Sequence, residues 1–133
     1  MTRKPGRTPS PARLRPLVLI ADDHAHIREL IRVVLRDYAV AEAKNGPETL
    51  SLAHELHPDV VILDIMLPLL SGLEVLAEIR ADPELERVGV IVLTAQPAHR
   101  EEAVEAGADA YFQKPFDPDE LVSVVEEVMA RRQ

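Results

Sequence analysis

The chain has 133 residues, 47% of them hydrophobic, with two Tyr, two Phe, no Trp, no Cys and a formal net charge of −8. That length supports a single domain with an aliphatic core that needs no disulfide or metal staple, and the lack of cysteine excludes disulfides and thiol redox chemistry. The longest apolar run near the N-terminus, Leu17 to Ala21, is too short for a secretory signal or a bilayer span, so a cytoplasmic location with no membrane role is expected.

Residues 1–16 carry Arg3, Lys4, Arg7, Arg13 and Arg15 without one acid, together with Pro5, Pro9, Pro11 and Pro16. No apolar periodicity runs through them, so they read as a disordered, solubilising basic tail. Residues 17–133, the expected folded domain, hold ten basic against 23 acidic residues, about −13. An acidic body argues against direct nucleic-acid binding by the folded part.

From Leu17 onward, strand-like and helix-like stretches alternate five times. The pattern predicts strands at 17–21, 39–43, 59–63, 88–93 and 109–112, and helices at 25–36, 47–56, 72–81, 97–106 and 118–131. In the first helix Ile27, Leu30, Ile31, Val34 and Leu35 form an apolar stripe at helical spacing, and Leu121, Val124, Val125, Val128 and Met129 repeat it in the last. Asn45, Ser71 and Asp117 stand where N-caps are needed, each with Glu three residues on, and Gly107 suits a left-handed helix stop.

Strict alternation of strand and helix implies an α/β fold with a parallel sheet. Strands one, three and four are nearly continuous aliphatic runs, as strands covered on both faces should be, whereas Ala39–Ala43 is less apolar and belongs at an edge. Right-handed crossovers then favour a doubly wound, flavodoxin-like (βα)5 domain with strand order 2-1-3-4-5.

Four of the five apolar segments run straight into polar residues: Asp22-Asp23, Asp64, Thr94 and Lys114. In an open parallel sheet these share the carboxyl edge, and ligands bind there where the winding reverses, between strands one and three. Strands about 4.8 Å apart bring Asp22, Asp23 and Asp64 within reach of one cation. Their oxygen donors suit Mg²⁺, with Mn²⁺ as a substitute. His24 and His26 flank this site as solvent-facing or capping residues rather than ligands. A carboxylate can attack phosphorus to give an aspartyl phosphate, and a cation, an ammonium and a hydroxyl are what neutralise and bind the transferred oxygens.

The same residues carry a family likeness. Ala21-Asp22-Asp23-His24, Leu63-Asp64-Ile65-Met66-Leu67-Pro68 with Gly72, Leu93-Thr94-Ala95, and Ala106 to Tyr111 leading to Lys114-Pro115-Phe116 resemble the receiver domain (CheY-like) of two-component response regulators, over residues 17–131. The resemblance implies that Asp64 accepts a phosphoryl group from a sensor histidine kinase or a His-containing phosphotransfer protein. It further implies Mg²⁺ held by Asp22, Asp23, Asp64 and the Met66 main-chain carbonyl, phosphoryl contacts from Thr94 and Lys114, and a switch pair of Thr94 and Tyr111. A cis Lys114–Pro115 bond is implied as well. The fourth helix is mostly alanine and is expected to be weakly held, so helix 4, strand 5 and helix 5 form the expected face for a downstream protein.

Leu70-Ser71 before Gly72 departs from the usual family residues, and Met66 and Gln96 occupy positions that tune phosphate lifetime in relatives. Two other functions compete. A haloacid-dehalogenase-like phosphatase needs a second acid two residues after its nucleophile, where this chain has Met66. A phosphorylation-independent interaction domain would lose part of the acidic triad or the lysine. The chain stops just past the fifth helix, which fits either a stand-alone regulator or the receiver of a longer protein; beyond its own phosphotransfer and autodephosphorylation it is not expected to be an enzyme.

Overall fold

In the computed structural model, which describes residues 15–132, five parallel strands lie in the order β2-β1-β3-β4-β5. They are β1 (Leu17–Ala21), β2 (Ala39–Ala43), β3 (Val60–Leu63), β4 (Gly89–Thr94) and β5 (Ala110–Gln113). Helices α1 (Ala25–Val34), α2 (Gly46–Leu56), α3 (Gly72–Ala81), α4 (Arg100–Glu105) and α5 (Pro118–Arg132) follow them in turn. The expected flavodoxin-like (βα)5 architecture and strand order are therefore found. Of the predicted tail only Arg15 and Pro16 are described, and the rest lies outside the described residues.

The period of two along each strand divides the core into two layers. Val18, Ile20, Val60, Ile62, Ile91 and Leu93 face α1 and α5, while Leu19, Ala21, Val61, Leu63, Val90 and Val92 face the α2–α3–α4 side. Every residue of β1, β3 and β4 is buried. Strands covered on both faces have no polar side to display, which is why these segments read as unbroken aliphatic runs. Edge strand β2 is buried only at Ala43 and half-buried elsewhere.

The caps behave as their chemistry dictates. Ser71 and Glu74 form a reciprocal capping box. Asn45 accepts from the Glu48 amide, but Glu48 reaches back to the Lys44 amide rather than to Asn45. The Asp117 carboxylate accepts from the amides of Asp119 and Glu120. Gly107 has φ 106° after α4, with the Gly107 amide bonded to Val104 and that of Ala108 to Ala103, the paired closure a glycine at this position allows.

Several boundaries differ from expectation. Helix α1 ends at Val34, where Leu35 leaves helical geometry (φ −100°, ψ 37°). Its apolar stripe is narrower than its spacing suggests: Ile31 and Leu35 are buried but Leu30 is 48% exposed. The predicted fourth helix is a 3-10 turn at Pro97–His99 followed by only six α-helical residues. Its N-cap, His99, makes no side-chain cap bond, and Ala103 is its only buried residue. A further 3-10 turn at Pro83–Leu85, capped by Asp82, was not predicted.

Edge strand β2 is tied to α1 by Glu42, whose carboxylate pairs with Arg28 at 2.9 Å and also with Arg32. Burial tends to raise the Glu42 pKa, but the hydrogen bonds and charge of Arg28 and Arg32 outweigh it and hold the group below its usual 4.5. A carboxylate with a depressed folded-state pKa stabilises the fold above its unfolded pKa and loses that contribution as pH falls through the folded value. Glu42→Gln is expected to cost about 1 kcal/mol near neutral pH. The difference from wild type should vanish as unfolding curves are taken below pH 4.5.

Candidate functional site

Hydrogen bonds that continue just past the strand ends build the carboxyl edge of the sheet. The Asp22 amide donates to Ala43 O (3.1 Å), that of Asp64 to Ala21 O (3.0 Å) and that of Lys114 to Thr94 O (2.9 Å). Asp22, Asp64 and Thr94 are thereby set side by side in the order of the sheet, and all three are buried. Gly72 sits so close beneath this edge that a Cβ there would stand 2.2 Å from the Asp64 carbonyl oxygen; its amide donates to Ile65 O. Only a residue without a side chain lets α3 approach the Asp64 backbone this closely.

The Lys114 ammonium lies between two carboxylates, 2.7 Å from Asp22 Oδ2 and 2.8 Å from Asp64 Oδ2. The Asp22 and Asp64 side chains are 3% and 4% exposed. Burial works to lower the Lys114 pKa, but hydrogen bonds and charge from Asp22 and Asp64 win and raise it above 10.5. The cation is therefore secure at neutral pH. The Lys114–Pro115 peptide is cis, as anticipated.

The remaining predicted residues surround this pair. The Met66 amide donates to Asp64 Oδ1 (3.0 Å), and its side chain points outward, the residue being 56% exposed. The Gln96 amide donates to Thr94 Oγ1 (3.3 Å). Tyr111 is half-buried, its hydroxyl donates to the Gln96 carbonyl, and Arg100 stands 6.0 Å from its ring centroid. Burial, more than any neighbouring charge, raises the Tyr111 pKa.

Asp22, Asp23, His24 and Asp64 each offer an atom within 4.8 Å of the others, a cluster able to hold a metal ion. His24 is exposed and occupies the N-cap of α1, as a flanking residue should, but makes no side-chain capping bond. Its ring instead turns to the acids, with Nδ1 3.1 Å from both Asp22 Oδ1 and Asp23 Oδ1. Sequence spacing carries no signal for that rotation.

A match to the response regulator receiver domain family spans residues 18–126. The chain belongs to this family. ResD, a transcriptional regulatory protein of Bacillus subtilis, is 40% identical over 118 residues, which cover 86% of this chain and 48% of that protein. The receiver domain of Francisella response regulator 1452 superposes with TM-score 0.81 at 31% identity, covering 89% of this chain and 99% of that one. The chemotaxis response regulator CheY4 of Vibrio cholerae gives TM-score 0.80 at 28% identity, over 86% and 98%. The chain spans about half the length of the curated relatives it matches.

As a receiver domain the chain serves two-component phosphorelay signalling, and nothing in its fold or relatives favours a phosphatase or a phosphorylation-independent interaction domain. Receiver domains as a family are not conventional enzymes. Among the described residues no helix is long and apolar enough to cross a membrane.

A second polar cluster, at the opposite edge of the receiver sheet, escaped the sequence analysis. Asp109 accepts from Arg80 (2.9 Å), from Arg132 (2.8 Å) and from the Val90 amide (2.8 Å). It links α3, α5 and the entry to β4 and β5 far from the acidic pocket.

Proposed function

We propose that Asp64 is the phosphoacceptor of this receiver domain. One observation carries the reading: a carboxylate only 4% exposed, fixed by the Met66 amide and the Lys114 ammonium, beside two more acids at the switch point of the sheet. An Asp64 oxygen attacks phosphorus, the new O–P bond forms, and the bond to the donor's histidine nitrogen or acyl oxygen breaks with its electron pair.

The donor set fits a hard divalent cation, because three carboxylates converge without thiolate. Asp22, Asp23, Asp64 and the Met66 main-chain carbonyl would hold Mg²⁺, with Mn²⁺ as substitute, and the ion would supply positive charge beside the phosphoryl oxygens. Lys114 brings a second positive charge and Thr94 a hydroxyl donor to the same oxygens, the arrangement phosphoryl transfer requires. Catalysis by the chain is confined to its own phosphotransfer and autodephosphorylation.

The phosphoryl donor is a sensor histidine kinase or a His-containing phosphotransfer protein, and the output is docking of a downstream protein on α4, β5 and α5. What supports that face is the weak hold on α4, which buries only Ala103 and leaves Val104 54% exposed. Thr94 and Tyr111 act as the switch pair: a bond from Thr94 to the phosphoryl group draws on the segment whose Gln96 carbonyl holds the Tyr111 hydroxyl. Residues 17–133 form the receiver, with 1–16 a separate basic tail. The folded domain itself does not bind nucleic acid, since its charge is strongly negative, and it acts in the cytoplasm.

Intact-mass measurement after incubation with Mg²⁺ and acetyl phosphate tests this reading. Wild type should gain one phosphoryl group, while Asp64→Ala, or wild type stripped of divalent metal, should gain none. An adduct that persists in Asp64→Ala would refute the assignment.

A further inference from the structure

We infer that Gly46, the first residue of α2, is a positioning residue for phosphoryl acceptance. Through close contact with Leu70 and a hydrogen bond to Pro68 it clamps the loop of residues 65–71, and the clamped loop aims the Asp64 carboxylate. The inference rests on the reading of Asp64 as phosphoacceptor and goes beyond it in assigning that aim to a residue of another element.

Gly46 is buried, and a Cβ added to it would overlap the Leu70 carbonyl oxygen and Leu70 Cβ and stand 2.9 Å from the Leu70 carbonyl carbon. Among the described glycines only Gly107 has a positive φ, so Gly46 is required for space rather than for backbone freedom. The Gly46 amide donates to Pro68 O (3.1 Å), and the Leu70 amide donates to the same oxygen (2.8 Å). The second bond spans only two residues and closes a tight turn with Leu69 at its centre, at φ 71°. Such a turn is rare and strained, and in a leucine it persists only where the surroundings enforce it. Leu69 is itself 83% exposed, so its side chain does not hold it there. The contacts of Gly46 with its two neighbours do.

Met66 connects this turn to the chemistry. Its amide donates to Asp64 Oδ1 at 3.0 Å, while Asp64 Oδ2 accepts from Lys114 at 2.8 Å. One carboxylate oxygen is thus fixed by the loop and the other by the lysine. A Cβ at Gly46 must displace either α2 or the loop. Helix α2 is anchored by buried Thr49 and Ala53 and by the Asn45 cap, whereas Met66, Pro68 and Leu69 are exposed. The loop therefore yields, and because Pro68 lies only two residues from Met66 the displacement carries to the Met66 amide. Misplacing a reacting group by about 1 Å can cost on the order of 100-fold in rate.

Gly46→Ala in the whole chain tests this, with Gly89→Ala as a control for lost stability. A Cβ on Gly89 would press on Val128, at the start of β4 and the opposite edge of the sheet from Asp64. Two quantities are read: hydrogen exchange of the Met66 amide by NMR in metal-free protein, and the initial rate of phosphoryl gain from acetyl phosphate in saturating Mg²⁺, per folded molecule. In Gly46→Ala the Met66 amide should exchange at least tenfold faster than in Gly89→Ala, and phosphoryl gain should slow about tenfold or more. Gly89→Ala should stay within twofold of the wild-type rate. Leu69→Gly should raise the melting temperature of wild type by roughly 3 °C, since glycine takes a positive φ without strain. It should gain less in Gly46→Ala, where the turn has already relaxed.

Should Gly46→Ala fail to fold, Leu70→Ala loosens the same contact from the loop side and is expected to change both readouts in the same direction. Met66 exchange and a phosphorylation rate no different from those of Gly89→Ala would overturn the role of Gly46 and leave Asp64 as the phosphoacceptor. An equal gain from Leu69→Gly in both backgrounds would show that Gly46 does not hold the turn. Phosphoryl gain by Asp64→Ala at the wild-type rate would instead remove the phosphoacceptor reading, and the inference with it.

Discussion

Replacing Lys114 with methionine is expected to abolish phosphoryl acceptance and to destabilise the metal-free receiver by about 3 kcal/mol, with much of that loss recovered in Mg²⁺. Methionine preserves most of the side-chain volume, so what disappears is the charge. Asp22 and Asp64 are then left with side chains 3% and 4% exposed and no ammonium between them. Removing one partner of a buried ion pair costs about 3–5 kcal/mol because the remaining charge is uncompensated. A divalent ion bound at 100 times its Kd contributes about 2.7 kcal/mol, and its affinity should itself rise when Lys114 no longer competes for the carboxylates. Thermal melts in chelator and in millimolar Mg²⁺ check this: the gap between variant and wild type should narrow on adding the ion. Equal melting temperatures in chelator would show that the lysine does not neutralise the pair.

The second large effect lies at the other edge of the sheet and should separate stability from chemistry. Asp109→Ala is expected to lower stability by about 3 kcal/mol while leaving the folded fraction able to accept a phosphoryl group. The carboxylate, 9% exposed, is the shared partner of Arg80, Arg132 and the Val90 amide. Burial and the neighbouring Arg132 already lower the Arg80 pKa, and Asp109 is what opposes them. Without it two guanidinium groups face one another with no anion between. Arg80 retains bonds to the carbonyls of Gly107 and Val88, which keeps the expected cost near the lower end of the range for a broken buried pair. Urea unfolding measures the loss, and intact mass after acetyl phosphate at low temperature measures the chemistry. A variant that is fully stable, or one that is folded but unreactive, would contradict the separation of the two edges.

The contrast between these two clusters explains what could be read in advance. Asp22, Asp64, Thr94 and Lys114 each follow an apolar run, so a local pattern combined with parallel topology was enough to place them together. Arg80, Asp109 and Arg132 meet from α3, the loop before β5 and the end of α5, and no periodicity connects residues so far apart in the chain. Helix α3 was legible at its start because Ser71 and Glu74 form a capping box. Helix α4 was not: without a side-chain cap at His99, and with little beyond Ala103 to bury, it contracts to six residues.

Alternating aliphatic runs and helical stripes are properties of neighbouring residues. They determined the five strand–helix repeats and, once joined to the right-handed crossover rule, the strand order and the residues at the acidic edge. Packing alone decided which faces of those elements meet. It set Leu30 in solvent beside a buried Ile31, brought the His24 ring onto Asp22 and Asp23, and closed the Asp109 cluster. Each of these depends on where a side chain turns once distant segments have docked, which is a long-range outcome that no window of sequence contains.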